Sequence, residues 1–395
     1  MRILVIAKKP PYPARDGESI AIRQMIRGLH NAGNAVHLIY LNTEKHHAPE
    51  TQVATFLQVT AQAIELRTRP TATGALINLF FRSTPYHADR FSSARVRETV
   101  QQYLQAHPTD LIQCEGLFML ADALEVAGAI PVAYRSHNVE ADIWSDLARN
   151  NRNPLKAWYY ALQSRRLEAY EMQIIHSVAA CVPISVTDSA WYRQHAPALP
   201  LRYCPTGMDL PDLSTAAIDP RSVYFIGGMD WMPNLEGLLW FLREAWLLVH
   251  QQYPAARLDA AGRHAPEGLA SIMPAGAVFH GEVPDAAAFT ADKSICIVPL
   301  LSGGGMKIKI AEALAAGKPV ITTSKGANGM PTGMEEYLVV ADTPEAFAAA
   351  VTHFLRHPEE ARKKGEAGRQ FIARHLNNRQ LGLQLTQFYQ TLLQG

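Results

Sequence analysis

Short apolar runs alternate with helix-patterned segments in both halves of this chain, and that alternation constrains the fold more than any other feature. In the first half the expected strands are Ile3–Ala7, Val36–Tyr40, Leu111–Cys114, Val132–Arg135 and Ala179–Pro183. In the second they are Val223–Ile226, Arg257–Ala260, Ala277–His280, Ile295–Pro299 and Val320–Thr323. Strands spaced by helices are the mark of βαβ units and a parallel sheet. At 395 residues the chain exceeds one ordinary hydrophobic core, so we expect two Rossmann-like α/β domains in tandem. Pro197–Pro220 is rich in proline and small polar residues, with a turn at Thr206-Gly207, as an interdomain linker would be. The expected boundaries are residues 1–205, joined by a helix 379–395 that crosses back to the first domain, and residues 206–378. In the second half Asn234–His250 reads as a long helix. Lys307–Ala316 reads as a shorter one, stopped by Gly317 with Pro319 beyond. After Pro344 the pattern is helical to the end, with one break near His375–Asn378.

Composition narrows the function classes. Hydrophobic residues at 48% and charged residues at 18% suffice for packed cores. Lys and Arg (37) nearly cancel Asp and Glu (36), so no global field favours nucleic acid and any basic site is local. Cys114, Cys181, Cys204 and Cys296 are far apart, without CxxC or metal-ligand spacing, which suits reduced thiols in a cytosol. The opening MRILVIAKKPPYP reaches prolines too soon for a signal peptide, and no run approaches the roughly 20 apolar residues of a membrane span. A cytoplasmic protein, at most touching the inner face of the membrane, is expected.

The segment that carries chemistry is Ile295–Thr323, a buried strand followed by LLSGGGMKIKIAEALAAGKPVITT. Gly303, Gly304 and Gly305 let the backbone approach a ligand and expose amide donors. A helix N-terminus there favours a phosphate. Lys309 and Glu312, three apart, share a helix face, so Lys309 is preferred over Lys307 for a diphosphate and Glu312 for ribose hydroxyls. The bland alternative is a packing turn with a solvated Lys–Glu pair. In the first half His137 follows the strand Val132–Arg135, at the carboxyl end of a sheet, where open α/β folds place ligands.

These residues resemble a known family. SGGGMKIKIAEALAAGKPVITTSKGANGM is similar to the donor segment of the retaining GT-B glycosyltransferases of family four, in particular the bacterial surface-polysaccharide branch. GGMDWMPNLEGLLWFL (Gly227–Leu242) resembles that branch's first strand-to-helix turn in the second domain, and FHGEVPD (Phe279–Asp285) its base-binding turn. More loosely, PPYPARDGES (Pro10–Ser19) resembles its acceptor loop and RSHNVEADIW (Arg135–Trp144) its active-site histidine segment. The resemblance implies a GT-B fold with two domains facing each other across a cleft. It also implies sugar transfer, with retention, from a nucleotide diphosphate sugar to a hydroxyl of a saccharide or lipid-linked acceptor.

On that resemblance the donor would be held by Gly17, Gly228, Arg263, Val283, Gly303, Gly304, Gly305, Met306, Lys307, Lys309 and Glu312. Asp16 would contact the acceptor, and Glu115, which ends the strand Leu111–Cys114 in the same sheet layer, is a candidate acceptor contact by its position. His137, Glu115 and Lys309 would be catalytic, His137 on the transferred sugar and Glu115 as base if the stereochemistry were inverting. Asp16 in an ordinary turn and Glu115 in an ion pair are the plainer readings. No cofactor or metal is expected, since leaving-group charge would be met by amides and lysine. The family's first glutamate is missing, with Gly304 in its place seven residues and one before Glu312. Its arginine and lysine after the second domain's first strand are replaced by Met229-Asp230-Trp231.

Two rivals share the architecture: a nucleotide-sugar epimerase and a non-catalytic sugar-nucleotide binder. A dehydrogenase is disfavoured because KKPPYPARDG, not GxGxxG, follows the first strand. Finally, Arg149–Ile175 combines Arg149, Arg152, Lys156, Arg165 and Arg166 with Trp158, Tyr159 and Tyr160, and GALINLFFR (Gly74–Arg82) is apolar beside an arginine. Both suit a peripheral contact with an anionic membrane, or equally amphipathic helices with one face in the core.

Overall fold

The computed structural model describes residues 1–14, 16–151, 153–212 and 217–394, excluding the side chain of residue 150. Arg152 and positions 213–216 of the expected linker lie outside the described residues. The chain falls into two compact units: residues 1–207 with 304–306 and 378–395, and residues 208–303 with 307–377.

In the first unit six strands form one sheet: β1 (Arg2–Ala7), β2 (Ala35–Asn42), β3 (Thr60–Glu65), β4 (Leu111–Glu115), β5 (Val132–Arg135) and β6 (Ala180–Cys181), in the order β3-β2-β1-β4-β5-β6. The second unit repeats this with β7 (Asp219–Ile226), β8 (Arg257–Ala261), β9 (Ala277–Phe279), β10 (Lys293–Val298), β11 (Val320–Thr322) and β12 (Leu338–Val340), ordered β12-β11-β10-β7-β8-β9. Every strand pair is parallel. Numbered within its own unit, each sheet reads 3-2-1-4-5-6, and the order reverses between the first and fourth strands. Ligands of open α/β sheets bind outside the carboxyl ends at that switch point.

Ten of the twelve strands coincide with the expected apolar runs. The two others, β3 and β12, are sheet edges. TAQAIE buries only Ile64, and LVV spans three residues, so neither carries the continuous apolar signature of a central strand. The central strands do: β1 is exposed only at Arg2 and β4 is buried throughout.

The expected helix Asn234–His250 is Met232–Trp240, a π-helical turn Phe241–Ala245, and Trp246–Gln252. Trp246 is fully buried there, its indole N–H donating to the Ala275 carbonyl at 3.0 Å. The C-terminal helical region has one boundary more than the sequence suggested, because Pro358 starts a new helix at the residue after His357. Helices run over Pro344–Arg356, Pro358–His375 and Asn378–Gln394.

The last helix belongs to the first unit and crosses the helix Gly17–Asn31 at glycines. A Cβ on Gly382 would lie 2.0 Å from the Gly28 carbonyl oxygen, so glycine there is what permits the close crossing. Asn34 donates to Thr386 at 2.7 Å and Tyr389 to Gln113 at 2.6 Å, fixing the helix in place. No described helix is long and apolar enough to cross a membrane.

Candidate functional site

The switch point of the second sheet lies between β7 and β10. Strand β7 ends in Gly227-Gly228, whose backbone is crowded by neighbours. A Cβ on Gly227 would sit 2.7 Å from both the Lys309 ammonium and the Asn234 amide nitrogen. A Cβ on Gly228 would sit 2.7 Å from Asp230 and 3.3 Å from Arg263 Nε. Lys309 and Arg263 therefore flank two consecutive glycines, a setting in which two cations and exposed backbone can meet one anion.

Asn234, buried at the start of its helix, orients this group. Its amide donates to the Gly228 carbonyl at 2.8 Å and its oxygen accepts from Lys309 Nζ. Lys309 also lies 4.9 Å from the centre of the Phe225 ring. Burial lowers the Lys309 ammonium to about 8, with Cys296 and Glu312 pulling the other way. Its neighbour Arg263 pairs with Asp230 at 3.8 Å.

The loops after β7, β8 and β9 are tied together by backbone. Gly227 donates to Ala261, Met229 to Arg263, and Gly262 to Gly281. Val283, half-buried, lies two residues past that last tie.

After β10 the three glycines differ from one another. Gly303 has φ +98° and lies against the Trp231 ring, where a Cβ would meet ring carbons at 2.8 and 3.0 Å. Gly305 has φ +66°; a Cβ would fall 2.2 Å from Asn138 Oδ1 and 3.2 Å from the His137 carbonyl. Gly304 has nothing within 4 Å of its Cβ position and no left-handed φ. Thus the position where the resembled family carries a glutamate has room for one.

The helix begins at Ile308, with Lys307 as its N-cap and Met306 buried before it. Here the structure corrects a sequence expectation. Lys307, 4% exposed, donates from Nζ to the Asn328 carbonyl at 2.7 Å, and its own N–H is directed at Met330 Sδ. It braces the following loop rather than presenting a cation to a ligand. Glu312 is exposed one turn beyond Lys309 on the same face.

In the first unit the switch point lies between β1 and β4. His137 follows β5, and its Nε2 bonds Glu115 Oε2 at 2.7 Å. Glu115 also accepts from Arg135 at 3.1 Å and from Gln113 at 2.6 Å, and Tyr389 holds Gln113 from the last helix. Glu115 and Arg135 are both 0% exposed. Burial opposes ionisation of Glu115, yet Arg135 and the His137 bond hold it below the usual carboxylate range.

Glu115 is thus a fully buried acceptor of three side-chain hydrogen bonds. Both its oxygens are occupied, and it acts by positioning His137. An ionised carboxylate only accepts, so His137 donates from Nε2 and a neutral ring keeps its lone pair on Nδ1. Nδ1 is buried and has no hydrogen-bond partner among the described residues, which leaves it as the acceptor a ligand hydroxyl could use. The next turn is fixed from beneath. Ser136 bonds both the Asn138 carbonyl (3.0 Å) and Tyr192 (2.9 Å), and Tyr192 and Tyr134 donate to Glu171. Burial raises Glu171 to about 8.

Asp16 is the N-cap of Gly17–Asn31, accepting from Ser19 N at 2.8 Å and pairing with Lys9 at 3.0 Å, while Gly17 is the first helical residue. Burial resists its ionisation, but Lys9 brings it to about 2. Glu18 bridges Lys8 (3.1 Å) and Lys9 (2.8 Å), which together overcome burial and hold it well below the usual carboxylate range. The region Arg149–Ile175 is not one helix: Glu140–Asn150 ends before Pro154–Ile175 begins. Arg166 is committed to the Asn78 and Leu79 carbonyls, and Tyr160 packs edge-on against Trp144.

Sequence reasoning missed Asn234, Glu18, Gln113, Arg135 and Tyr389 as parts of these clusters. Asn234 stood inside the quoted β7 turn and Glu18 inside PARDGES. Nothing local to Gln113 or Tyr389, 276 positions apart, connects them.

Residues 220–357 match the protein family described as glycosyl transferases group 1. The chain is 23% identical over 377 residues to an uncharacterized 44.6 kDa protein in the cps region of Klebsiella pneumoniae, covering 90% of this chain and 91% of that one. Among solved structures it is similar to sucrose-phosphate synthase from Thermosynechococcus elongatus, with a TM-score of 0.72 at 19% identity and full coverage of both chains. It is also similar to Anabaena HepE in complex with UDP and glucose, with a TM-score of 0.68 at 12% identity, covering 99% of this chain and 100% of that one. The chain has the GT-B fold, and the stretch that matches the group 1 family lies, apart from residues 304–306, within its second unit.

Proposed function

We propose that this protein transfers a sugar from a nucleotide diphosphate sugar to an acceptor hydroxyl, with retention and without a metal ion, in the assembly of a bacterial surface polysaccharide. The observation that carries the reading is the pair of cations, Lys309 and Arg263, set on Gly227 and Gly228 at the switch point of the second sheet. The group 1 match over the same unit, UDP in the Anabaena relative, and the cps-region relative support it.

In this reading the diphosphate lies on the β7 turn, where Lys309, Arg263 and the amides beginning the helix Ile308–Ala315 offset the charge that develops as the glycosidic bond breaks. Glu312 accepts from ribose hydroxyls, and the loop of Gly281 and Val283 borders the base. His137 Nδ1 accepts a hydrogen bond from a hydroxyl of the transferred sugar, its ring held in that tautomer by Glu115.

An exposed apolar face supports a lipid-linked acceptor at an anionic membrane. On the helix Ala72–Phe81, Phe80 and Phe81 are 72% and 81% exposed, and Trp158, Lys156 and Arg165 are exposed on Pro154–Ile175.

A thermal-shift screen of nucleoside diphosphates and their sugars tests the donor half, because only a ligand of the folded state raises the midpoint. Stabilisation by one base series is expected; none across the series sinks the reading. With an acceptor in hand, turnover unchanged by EDTA and an axial product from an axial donor are expected.

A further inference from the structure

We propose that a basic cavity at the carboxyl ends of β1, β2 and β3 seats a phosphate or diphosphate ester carried by the acceptor. Only the word acceptor rests on the transferase reading; the anion site stands on its own geometry.

The cavity, of about 650 Å³, is walled by the segments that follow these three strands and by the helix Tyr86–Phe91. Lys8, Lys9, Lys45, Arg69 and Arg90 line it, against the carboxylates Glu18 and Glu44. Adding Asp16, which pairs with Lys9 from outside the lining, leaves five cations facing three anions. The whole chain carries a net charge of only +1, so this excess is local. Concave walls of low dielectric focus such a charge on whatever enters.

Several of these charges are held in place. Glu18 is spent on Lys8 and Lys9, and Glu44 accepts the Thr68 amide at 3.1 Å, which clips the β2 and β3 loops together. Arg90 donates from Nε to the Thr68 carbonyl at 2.7 Å and lies 5.7 Å from the Tyr86 and Phe91 ring centres. His87 packs at a tilt against Phe118, and burial together with Lys8 and Arg90 pushes it down to about 3, so it adds no charge.

Two further features fit an acceptor ester. The volume is that of a small-molecule site and exceeds what inorganic phosphate fills, leaving room for an attached sugar or chain. Its Glu18 wall adjoins the end of β4, where a Cβ on Gly116 would lie 3.8 Å from Glu18 Oε1, next in sequence to the Glu115 that bonds His137. From Arg69 the chain runs within three residues into the helix Ala72–Phe81, whose Leu76, Ile77, Phe80 and Phe81 are exposed. The helix that follows the cavity wall thus carries exposed apolar side chains, so the ester can come from a lipid carrier or from a soluble sugar phosphate.

The test is titration calorimetry with inorganic pyrophosphate in a Lys309→Ala background, which removes the candidate donor-phosphate contact. Pyrophosphate should bind, and Lys45→Gln with Arg69→Gln, both at exposed positions, should weaken it by at least about tenfold at an unchanged melting midpoint. No binding, or equal binding by the double variant, overturns the proposal. Dodecyl phosphate distinguishes the sources. Tighter binding than pyrophosphate, lost on Phe80→Ser with Phe81→Ser, identifies a lipid carrier, and equal binding identifies a soluble phosphorylated acceptor. In the wild-type background the double substitution should leave the nucleoside diphosphate midpoint shift intact. If no nucleoside diphosphate binds at all, the transferase reading fails while the pyrophosphate result still stands or falls by itself.

Discussion

The two sheets share one strand order and end in opposite kinds of chemistry. At the carboxyl ends of the first, side-chain charge is packed inward: Glu115 and Arg135 are fully buried, and Lys9, Asp16 and Glu18 close on one another. At the carboxyl ends of the second, glycines bring backbone to the surface of the site and two cations stand over them. One topology thus supports a lobe whose candidate site is a positioned side chain and a lobe whose candidate site is exposed backbone. The difference lies in what occupies the same switch point, not in the fold around it.

The comparison is broken most directly at Glu115. Removing it strands Arg135 in the core, and loss of one partner of a buried pair costs about 3–5 kcal/mol. Urea unfolding of Glu115→Ala should register that loss. A change below about 1 kcal/mol would show that the first lobe does not depend on buried charge.

Lys309→Ala should weaken nucleoside diphosphate binding ten- to a hundredfold, about 1.5–3 kcal/mol, with little change in unfolding. Because burial lowers this ammonium to about 8, the free protein loses the cation as pH rises through that value. Affinity should be level below pH 8 and fall above it, and Lys309→Arg should remove the fall. A fall that persists in the arginine variant assigns the titration elsewhere.

Neighbouring glycines sharpen the claim that the second lobe works through backbone. Gly303→Ala places a Cβ against Trp231 at a left-handed φ and should cost about 1–3 kcal/mol, whereas Gly304→Ala should change stability by no more than about 0.5 kcal/mol. Equal effects at both positions would mean that the loop is not held as described. Gly304→Glu should fold as well as the parent, and donor assays would then report what a carboxylate adds there.

A modest effect is expected at Asp16, where loss of the helix cap costs about 1 kcal/mol. Its folded value, about 2, lies below the ordinary carboxylate value of about 3.9. The ion-pair contribution is therefore complete above pH 4 and fades as pH falls toward 2. Asp16→Ala should flatten that part of the stability profile.

Particular elements show how far the sequence reached. The apolar runs of β1, β4, β7 and β10 were legible because central strands buried on both faces are mostly apolar. The edge strands β3 and β12 were not, because an edge can be polar or short. Gly303, Lys309 and His137 were legible because loop glycines and residues at strand ends have local signatures. The burial of Lys307 and Glu115 was not legible, since whether a charged side chain meets a buried partner depends on residues distant in the chain.

By itself, then, the amino-acid order determined the alternation of strand and helix, the glycine turn and the spacing of Lys309 from Glu312, all of which follow from periodicity over a few residues. Only the tertiary structure decided that Tyr389 reaches Gln113, that Glu115 serves His137, and that Asn234 holds Lys309 on Gly227. Those are contacts between segments tens to hundreds of positions apart, and their existence depends on how the helices pack on the sheets.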